Sequence, residues 1–375
     1  MAAAFRARYW HALADGRLQC DLCPRRCRLG EGQQGLCFVR ERRDDVVILS
    51  AYGRSSGFCV DPIEKKPLNH FLPGSAVLSF GTAGCNLTCK FCQNWDISKS
   101  RQTDTLSDRA APETIARAAH RLGCASVAFT YNDPVIFHEY AVDVAAACHT
   151  LGIRTVAVTA GYVCAEPRAA FYRHIDAANV DLKGFSERFY RSLCSAELGV
   201  VLDTLSYLRH ETSVWLEITT LLIPGENDSP AELEAECRWI VDRLGPDVPL
   251  HFSAFHPDYK LTDRPPTPHA TLIRARGIAR AAGIRHVYLG NVDDPERSSS
   301  WCSGCGARLI ERRGYALSAW ALSAAGACQG CGTPLPGVYA PQPGRWGNRR
   351  LPVRLAEFEE QTRDQGAGQA TPGCP

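Results

Sequence analysis

Residues 81–95 read GTAGCNLTCKFCQNW, and within them Cys85, Cys89 and Cys92 form a C-x3-C-x2-C triplet. Three thiolates hold three corners of a four-iron cluster and leave the fourth iron without a protein ligand. A ferredoxin-type cluster takes four cysteines, which closes every iron and restricts the cluster to passing electrons. An open iron can bind a molecule. Zinc is the competing reading, but a structural zinc site asks for four ligands, and no further Cys or His lies close in sequence. Gly81 and Gly84 flank the triplet, which directly follows a strand-like apolar run at 77–81.

Working outward, apolar strand-like runs at 77–81, 126–130, 154–159, 179–183, 214–222, 250–255 and 286–289 alternate with helical patterns at 112–122, 134–151, 230–244 and 268–282. Each of these helices opens with Pro, whose missing N–H costs little in a first turn. Repeated strand–helix–strand units imply parallel pairing, hence an α/β barrel or an open parallel sheet. The triplet follows the first of these strands and the other polar motifs sit at strand C-terminal ends, the catalytic face of such barrels. This core spans 75–292. Before it, 1–74 reads as a small Cys-rich N-terminal module; after it come a second Cys-rich module, 293–340, and a Pro/Gly-rich tail, 341–375. The tail is expected to be poorly ordered apart from a short helix at 355–362.

Composition sets the class. The 375 residues are 45% hydrophobic and 22% charged, with a formal net charge of +2. That suffices for a large core and calls for no strongly anionic partner, so nucleic acid is not expected. Neither an export signal nor an 18-residue apolar span is visible, so no membrane association is expected. Many of the 18 cysteines fall into C-x2-C and C-x3-C groups, which favour metal ligation in a reducing compartment; the expected location is the cytoplasm.

The triplet, with Phe91 at the aromatic position before its last cysteine, resembles the signature of radical S-adenosylmethionine (SAM) enzymes. In that superfamily the aromatic lies near the adenine. A Gly-Gly-Glu-Pro motif after the second strand commonly receives the SAM amino group; the sequence here is Thr130-Tyr131-Asn132-Asp133-Pro134, so the resemblance implies Asn132 and Asp133 as cofactor-binding residues. The same two fit a turn and helix cap before Pro134. Asp181-Leu182-Lys183 resembles the Asp-x-Lys of glycyl-radical-enzyme activases, implying that Asp181 and Lys183 approach SAM. Those activases often carry Thr-Asn-Gly after the third strand, where this chain has Thr159-Ala160-Gly161. His251-Phe252-Ser253 and His256-Pro257 place histidines near the expected mouth, and His251 is taken as a cofactor contact. Glu217 and Ile223-Pro224-Gly225 also fit the layout.

The stretches DPIEKKPLNHFLPGS, FTYNDPVIF, NVDLKGFSERFYRSLC, HFSAFHPDYKL and YLGNV, with the triplet, resemble one subgroup over about 8–340: the pyruvate formate-lyase-activating-enzyme-like radical SAM protein of the AmmeMemoRadiSam system. The resemblance implies a partial (β/α) TIM-like barrel, a 4Fe-4S cluster and SAM. It implies an oxidoreductase that reductively cleaves SAM to a 5'-deoxyadenosyl radical for hydrogen abstraction from a protein or small molecule. Catalysis falls to the cluster and SAM, with no catalytic side chain assigned. A reductant such as flavodoxin or ferredoxin and Memo-type and AMMECR-type proteins are the partners it implies.

Two further cysteine sets flank the core. Cys302, Cys305, Cys328 and Cys331 form paired C-x2-C knuckles, a zinc-ribbon-like pattern in which zinc is expected, with rubredoxin-like iron or an auxiliary cluster as alternatives. Cys20, Cys23, Cys27 and Cys37 supply four more ligands, for zinc or a second iron–sulfur cluster; spacing does not decide between them. Arg312-Arg313-Gly314-Tyr315 reads as a hairpin turn, and Cys124, Cys148, Cys164 and Cys237 as core residues. Cys194 follows a family-like helix near the expected site. Two other functions fit parts of this pattern: a zinc-supported protein- or nucleic-acid-binding module without chemistry, and an RNA-modifying radical SAM enzyme.

Overall fold

Seven apolar runs become seven parallel strands. In the computed structural model, which describes residues 5–99 and 108–359, these are β2 (Ala76–Phe80), β3 (Ser126–Phe129), β4 (Arg154–Thr159), β5 (Ala177–Asp181), β6 (Trp215–Leu222), β7 (Leu250–Ala254) and β8 (Val287–Gly290). Each pairs with the next in sequence order. Helices α1 (Pro112–Arg121), α2 (His138–Thr150), α3 (Ala165–Tyr172), α4 (Leu198–Glu211), α5 (Pro230–Leu244) and α6 (His269–Ala281) make the crossovers. An antiparallel strand, β1 (Phe58–Pro62), adds to β2, and β9 (Leu351–Val353) adds to β1. The result is the expected α/β architecture, a large parallel sheet in a partial barrel. Among the described residues no helix is long and apolar enough to cross a membrane.

Side-chain alternation in these strands builds two packing layers. Leu78, Phe80, Val127 and Phe129 join the main core, whereas Val77, Ala128, Val156 and Ala177 pack with Ile63, Leu68 and Phe71 from the segment after β1. That segment plugs one side of the sheet, and its polar backbone needs partners there. Glu217 supplies them: it accepts from Asn69 N at 3.0 Å, His70 N at 2.7 Å, Trp215 Nε1 at 3.0 Å and His251 Nε2 at 2.7 Å.

The run expected as one helix over 134–151 splits into a 3-10 turn, Pro134–Phe137, followed by α2. Asp133 caps the turn, accepting from Val135 N at 3.0 Å. Helices α3 and α4 were not legible: both lack a side-chain cap and, unlike the expected helical runs, neither opens with Pro. In α5, Ser229 accepts from Glu232 N ahead of Pro230, as a helix start should.

The N-terminal residues dock on α2. Arg40 makes a fully buried ion pair with Glu139, which also accepts from Arg8 N at 2.7 Å. Residues 341–359 correct an expectation. They are an integrated part of the fold, with β9 in the sheet, Gly344 N donating to Pro73 O at 3.0 Å and Trp346 N to Gly74 O at 3.0 Å. Their glycine content serves close approach: a Cβ on Gly344 would stand 2.2 Å from the Gly74 carbonyl carbon. The helix expected at 355–362 is a 3-10 turn, Leu355–Phe358. Residues 360–375 lie outside the described residues.

Glu236 in α5 gives a pH prediction. It is wholly buried, with Thr220 Oγ1 donating to it at 2.5 Å, and burial pushes its carboxyl from about 4.5 up to about 8. The unfolded carboxyl ionises near 4.5, so the folded state is favoured below that pH and loses stability as pH rises through about 8. Glu236→Gln should flatten this loss and raise stability at pH 8 by a few kcal/mol. Urea midpoints at pH 6 and pH 8 test it; an equal shift at both would show that ionisation is not the cause.

Candidate cluster and cofactor site

The triplet loop leaves the end of β2 and is held by the neighbouring strand end. Asn132 donates from Nδ2 to Gly84 O at 2.8 Å and Thr82 Oγ1 at 3.1 Å, and accepts from Thr82 N at 3.2 Å. The far side is tied to the helical turn Tyr190–Cys194, with Thr88 N donating to Cys194 O at 3.0 Å and Lys90 N to Leu193 O at 2.9 Å. Lys99 Nζ closes the loop on Leu87 O at 2.5 Å. These ties turn Cys85, Cys89 and Cys92 onto the wall of one cavity of about 430 Å³ at the C-terminal ends of the strands.

The same wall carries Phe91, Asn132, Asp133, Asp181 and Lys183. Phe91 is 4% exposed and packs on Phe189, with ring centres 5.8 Å apart. Asp133 is held by three donors: Val135 N, Thr159 Oγ1 at 3.1 Å and Ala160 N at 2.9 Å. Thr159-Ala160 therefore organises the Asp133 carboxylate. Lys183 Nζ donates to Asp181 Oδ2 at 2.8 Å, and its carbonyl accepts from Asn227 Nδ2 at 2.8 Å. Burial opposes the Lys183 ammonium, yet Asp181 and Cys89 outweigh it and hold its pKa above that of a free lysine. Around the triplet the field is uneven. A hydrogen bond from the Cys194 thiol, against burial and helped by Lys183 and Lys99, pulls Cys89 down to about 6, whereas burial, reinforced by Asp133, pushes Cys85 up to about 12.

His251 is not on this wall. It is tied to Glu217 beneath the polar plug and stacks on Tyr288 at 5.1 Å, so the expected cofactor contact is corrected to a structural one. The physical reason is depth: His251 shares a strand face with Ser253, as Glu217 does with the cavity-lining Thr219, but each lies two residues, about 6–7 Å, farther from the C-terminal end of its strand. His256 is mostly exposed.

Sequence reading missed a charged edge of the cavity. Buried Asp61 accepts from Lys65 Nζ at 2.9 Å, Lys66 Nζ at 2.8 Å and Tyr131 Oη at 3.2 Å, with Arg350 at 3.4 Å. Three cations share one carboxylate, so the edge is net positive. Lys65, Lys66, Tyr131 and Arg350 line the cavity, as does Tyr315 from the hairpin at 312–315. The signal was the lysine pair of DPIEKK, four and five residues after Asp61, taken only as part of a family-like stretch.

The donor set suits an open cluster better than an ion. Among the described residues, the group of three or more Cys, His, Asp or Glu whose ligand atoms all lie within 4.8 Å of one another is Cys302, Cys305, Cys328 and Cys331. The triplet sulfurs are not all within that distance of one another, and a cubane, with irons and sulfides between its thiolates, does not need them to be. In the ribbon, Sγ–Sγ distances of 3.5 Å for Cys302–Cys331 and 3.7 Å for Cys305–Cys328 match a tetrahedral ion, for which metal–sulfur bonds of about 2.3 Å give edges of about 3.8 Å. Its apolar core is small, chiefly Leu309, Ile310, Leu322 and Leu335, so the ion should hold the module together. Cys305→Ser should remove about one bound ion per chain and open residues 300–335 to limited proteolysis. Metal counting with peptide mapping checks both; retention of the ion would show that the knuckles do not ligate.

Comparison with known proteins agrees with this site. The radical SAM superfamily profile matches residues 80–236. The uncharacterized protein MJ0808 of Methanocaldococcus jannaschii is 40% identical over 306 residues, covering 82% of this chain and 91% of its own. Among solved structures, a domain of pyruvate-formate lyase-activating enzyme from Bacteroides vulgatus aligns with a TM-score of 0.40 at 16% identity, over 44% of this chain and 99% of that one. A radical SAM methyltransferase from Sphaerobacter thermophilus aligns with a TM-score of 0.46 at 18% identity, over 58% and 67%. With its three-cysteine loop on the cavity wall and its matched core, the chain carries a radical SAM superfamily domain over residues 80–236, which implies a 4Fe-4S cluster and SAM.

Proposed function

We propose that this chain is an activating-enzyme-like radical SAM oxidoreductase that removes a hydrogen atom from a substrate bearing an anionic group. The observation that carries the reading is the single cavity walled by Cys85, Cys89, Cys92, Asp181 and Lys183. When bound, the cluster and SAM supply the difficult step, one electron and reductive cleavage to a 5'-deoxyadenosyl radical that takes hydrogen from an unactivated C–H bond. The protein's part is binding and orientation. Lys183, held protonated beside Asp181, pairs with a carboxylate. Phe91 offers an apolar surface for the adenine. Asp133, saturated by three donors, fixes the strand ends so that backbone carbonyls of 130–131 take the amino group. The cationic edge of Lys65, Lys66 and Arg350 leaves net charge for an anionic group on the substrate.

The activating-enzyme-like subtype is supported by the Asp181–Lys183 pair, and membership of the AmmeMemoRadiSam group by the series of motifs from 61 to 292. A flavodoxin- or ferredoxin-type reductant and Memo-type and AMMECR-type partners belong to the same proposal. Anaerobic reconstitution, reduction and incubation with SAM should yield 5'-deoxyadenosine, and deuterated candidate substrates should pass deuterium into it. A fully loaded cluster that produces no 5'-deoxyadenosine with either dithionite or a protein reductant sinks the reading.

A further inference from the structure

The four N-terminal cysteines converge on one small cavity although they come from separate turns. Cys20, Cys23, Cys27 and Cys37 all line it, closed on its other sides by Leu22, Leu36 and Ile136. None is in a disulfide. We propose that these four cysteines hold a second iron–sulfur cluster of the 4Fe-4S type, with every iron ligated, set against the SAM-cluster loop.

Spacing separates this from a zinc site. The ribbon shows how this chain arranges four sulfurs for one ion, with all of them within 4.8 Å. The N-terminal four converge without reaching that spacing, and in this they resemble Cys85, Cys89 and Cys92. A cubane puts its irons and sulfides between the thiolates and spreads them, whereas a single tetrahedral ion draws them to about 3.8 Å. Arg25, on the cavity wall, offsets part of the negative charge of a four-thiolate centre, whereas the charge of Arg40 there is already paired with Glu139.

Position gives the site its role. Cys37 O abuts Gly84, so closely that a Cβ there would stand 1.9 Å away, and Arg25 Nε donates at 2.9 Å to the carbonyl of Asn86, the residue after Cys85. A cluster with all irons closed can only pass electrons. Here it would take one electron from a low-potential donor protein and pass it to the cluster on Cys85, Cys89 and Cys92, returning to its oxidised state with no bond made or broken. The role as relay rests on the proposed SAM cleavage; the presence of the second cluster does not.

Anaerobic reconstitution with iron and sulfide, followed by iron and zinc counting and EPR of the reduced protein, tests it. We expect about eight irons per chain, with about four kept when Cys85, Cys89 and Cys92 are all changed to Ala, and about four kept when Cys20, Cys23, Cys27 and Cys37 are all changed to Ala. Each variant should lose a different EPR signal. About four irons in the unaltered chain, none in the Cys85/Cys89/Cys92 variant and a second zinc beside the ribbon's would overturn the proposal. If the N-terminal variant fails to fold, the Cys85/Cys89/Cys92 variant decides alone, because it leaves the N-terminal set intact. Irons held only by the N-terminal set would overturn the SAM-cleavage reading instead.

Discussion

Replacing Cys89 by Ala should abolish 5'-deoxyadenosine formation and strip the SAM-binding cluster. Cys89 is the deepest of the three ligands at 7% exposure and the one whose thiolate the field favours most, through Cys194, Lys183 and Lys99. Two thiolates cannot fix a cubane that three already leave open. Loss of an outer partner of a metal ligand costs about 10–100-fold, and removal of the ligand itself should cost more. Cys194→Ala is the instructive control. It removes the hydrogen bond to Cys89 without removing a ligand, so iron should be retained and turnover should fall only within that outer-partner range. Both variants should be reconstituted identically, counted for iron, and assayed for 5'-deoxyadenosine by mass spectrometry. Unchanged iron and turnover in Cys89→Ala would end the assignment of the triplet as the cluster site.

The core of the fold was legible because its two signals are local. Apolar runs gave the seven parallel strands to within a few residues, and Pro at first turns marked the helices that begin with one. The triplet was legible because ligand spacing is itself a geometric statement. What the sequence hid depends on how deep a side chain sits and on what lies across a gap. His251 shares the face of cavity-lining Ser253 but sits two residues deeper, on Glu217, whose own partners come from Asn69 and His70, about 150 residues earlier. Asn132 and Asp133 matched a cofactor motif, yet each is also saturated by backbone and hydroxyl groups of neighbouring strand ends. Gly74 and Gly344 could not be paired by inspection, because a close backbone approach leaves no pattern in either stretch alone. For the same reason the tail at 341–359 read as irregular. The Asp61 cluster assembles its cations from 65, 66 and 350, and only the first two are near in sequence.

Gly84→Ala tests how tightly the N-terminal residues and the cluster loop are joined. Gly84 has φ +87°, and a Cβ there would lie 1.9 Å from Cys37 O and 3.1 Å from Cys37 C. Two costs therefore act together. The left-handed backbone disfavours any L-side chain by about 1–2 kcal/mol, and the clash falls on backbone, which cannot rotate away as a side-chain tip would. Gly84 O also accepts from Asn132 Nδ2, so a shift that relieves the clash loosens the tie between the loop and the end of β3. The expected loss is about 3 kcal/mol or more, in the range of backbone strain combined with core overpacking. Gly123→Ala separates the two terms, because Gly123 has φ +67° and nothing within 4 Å of the added Cβ. It should cost only the backbone term. Denaturant midpoints measured on both reconstituted variants give the difference attributable to contact with Cys37. Iron counting adds a second readout: Gly84→Ala should lower occupancy at the triplet, whereas Gly123→Ala should leave it unchanged. Equal midpoints for the two would mean that the N-terminal residues yield freely at this contact. A larger loss in Gly84→Ala, accompanied by lost iron, would mean that the loop carrying Cys85, Cys89 and Cys92 takes its shape from Cys37 as much as from the barrel.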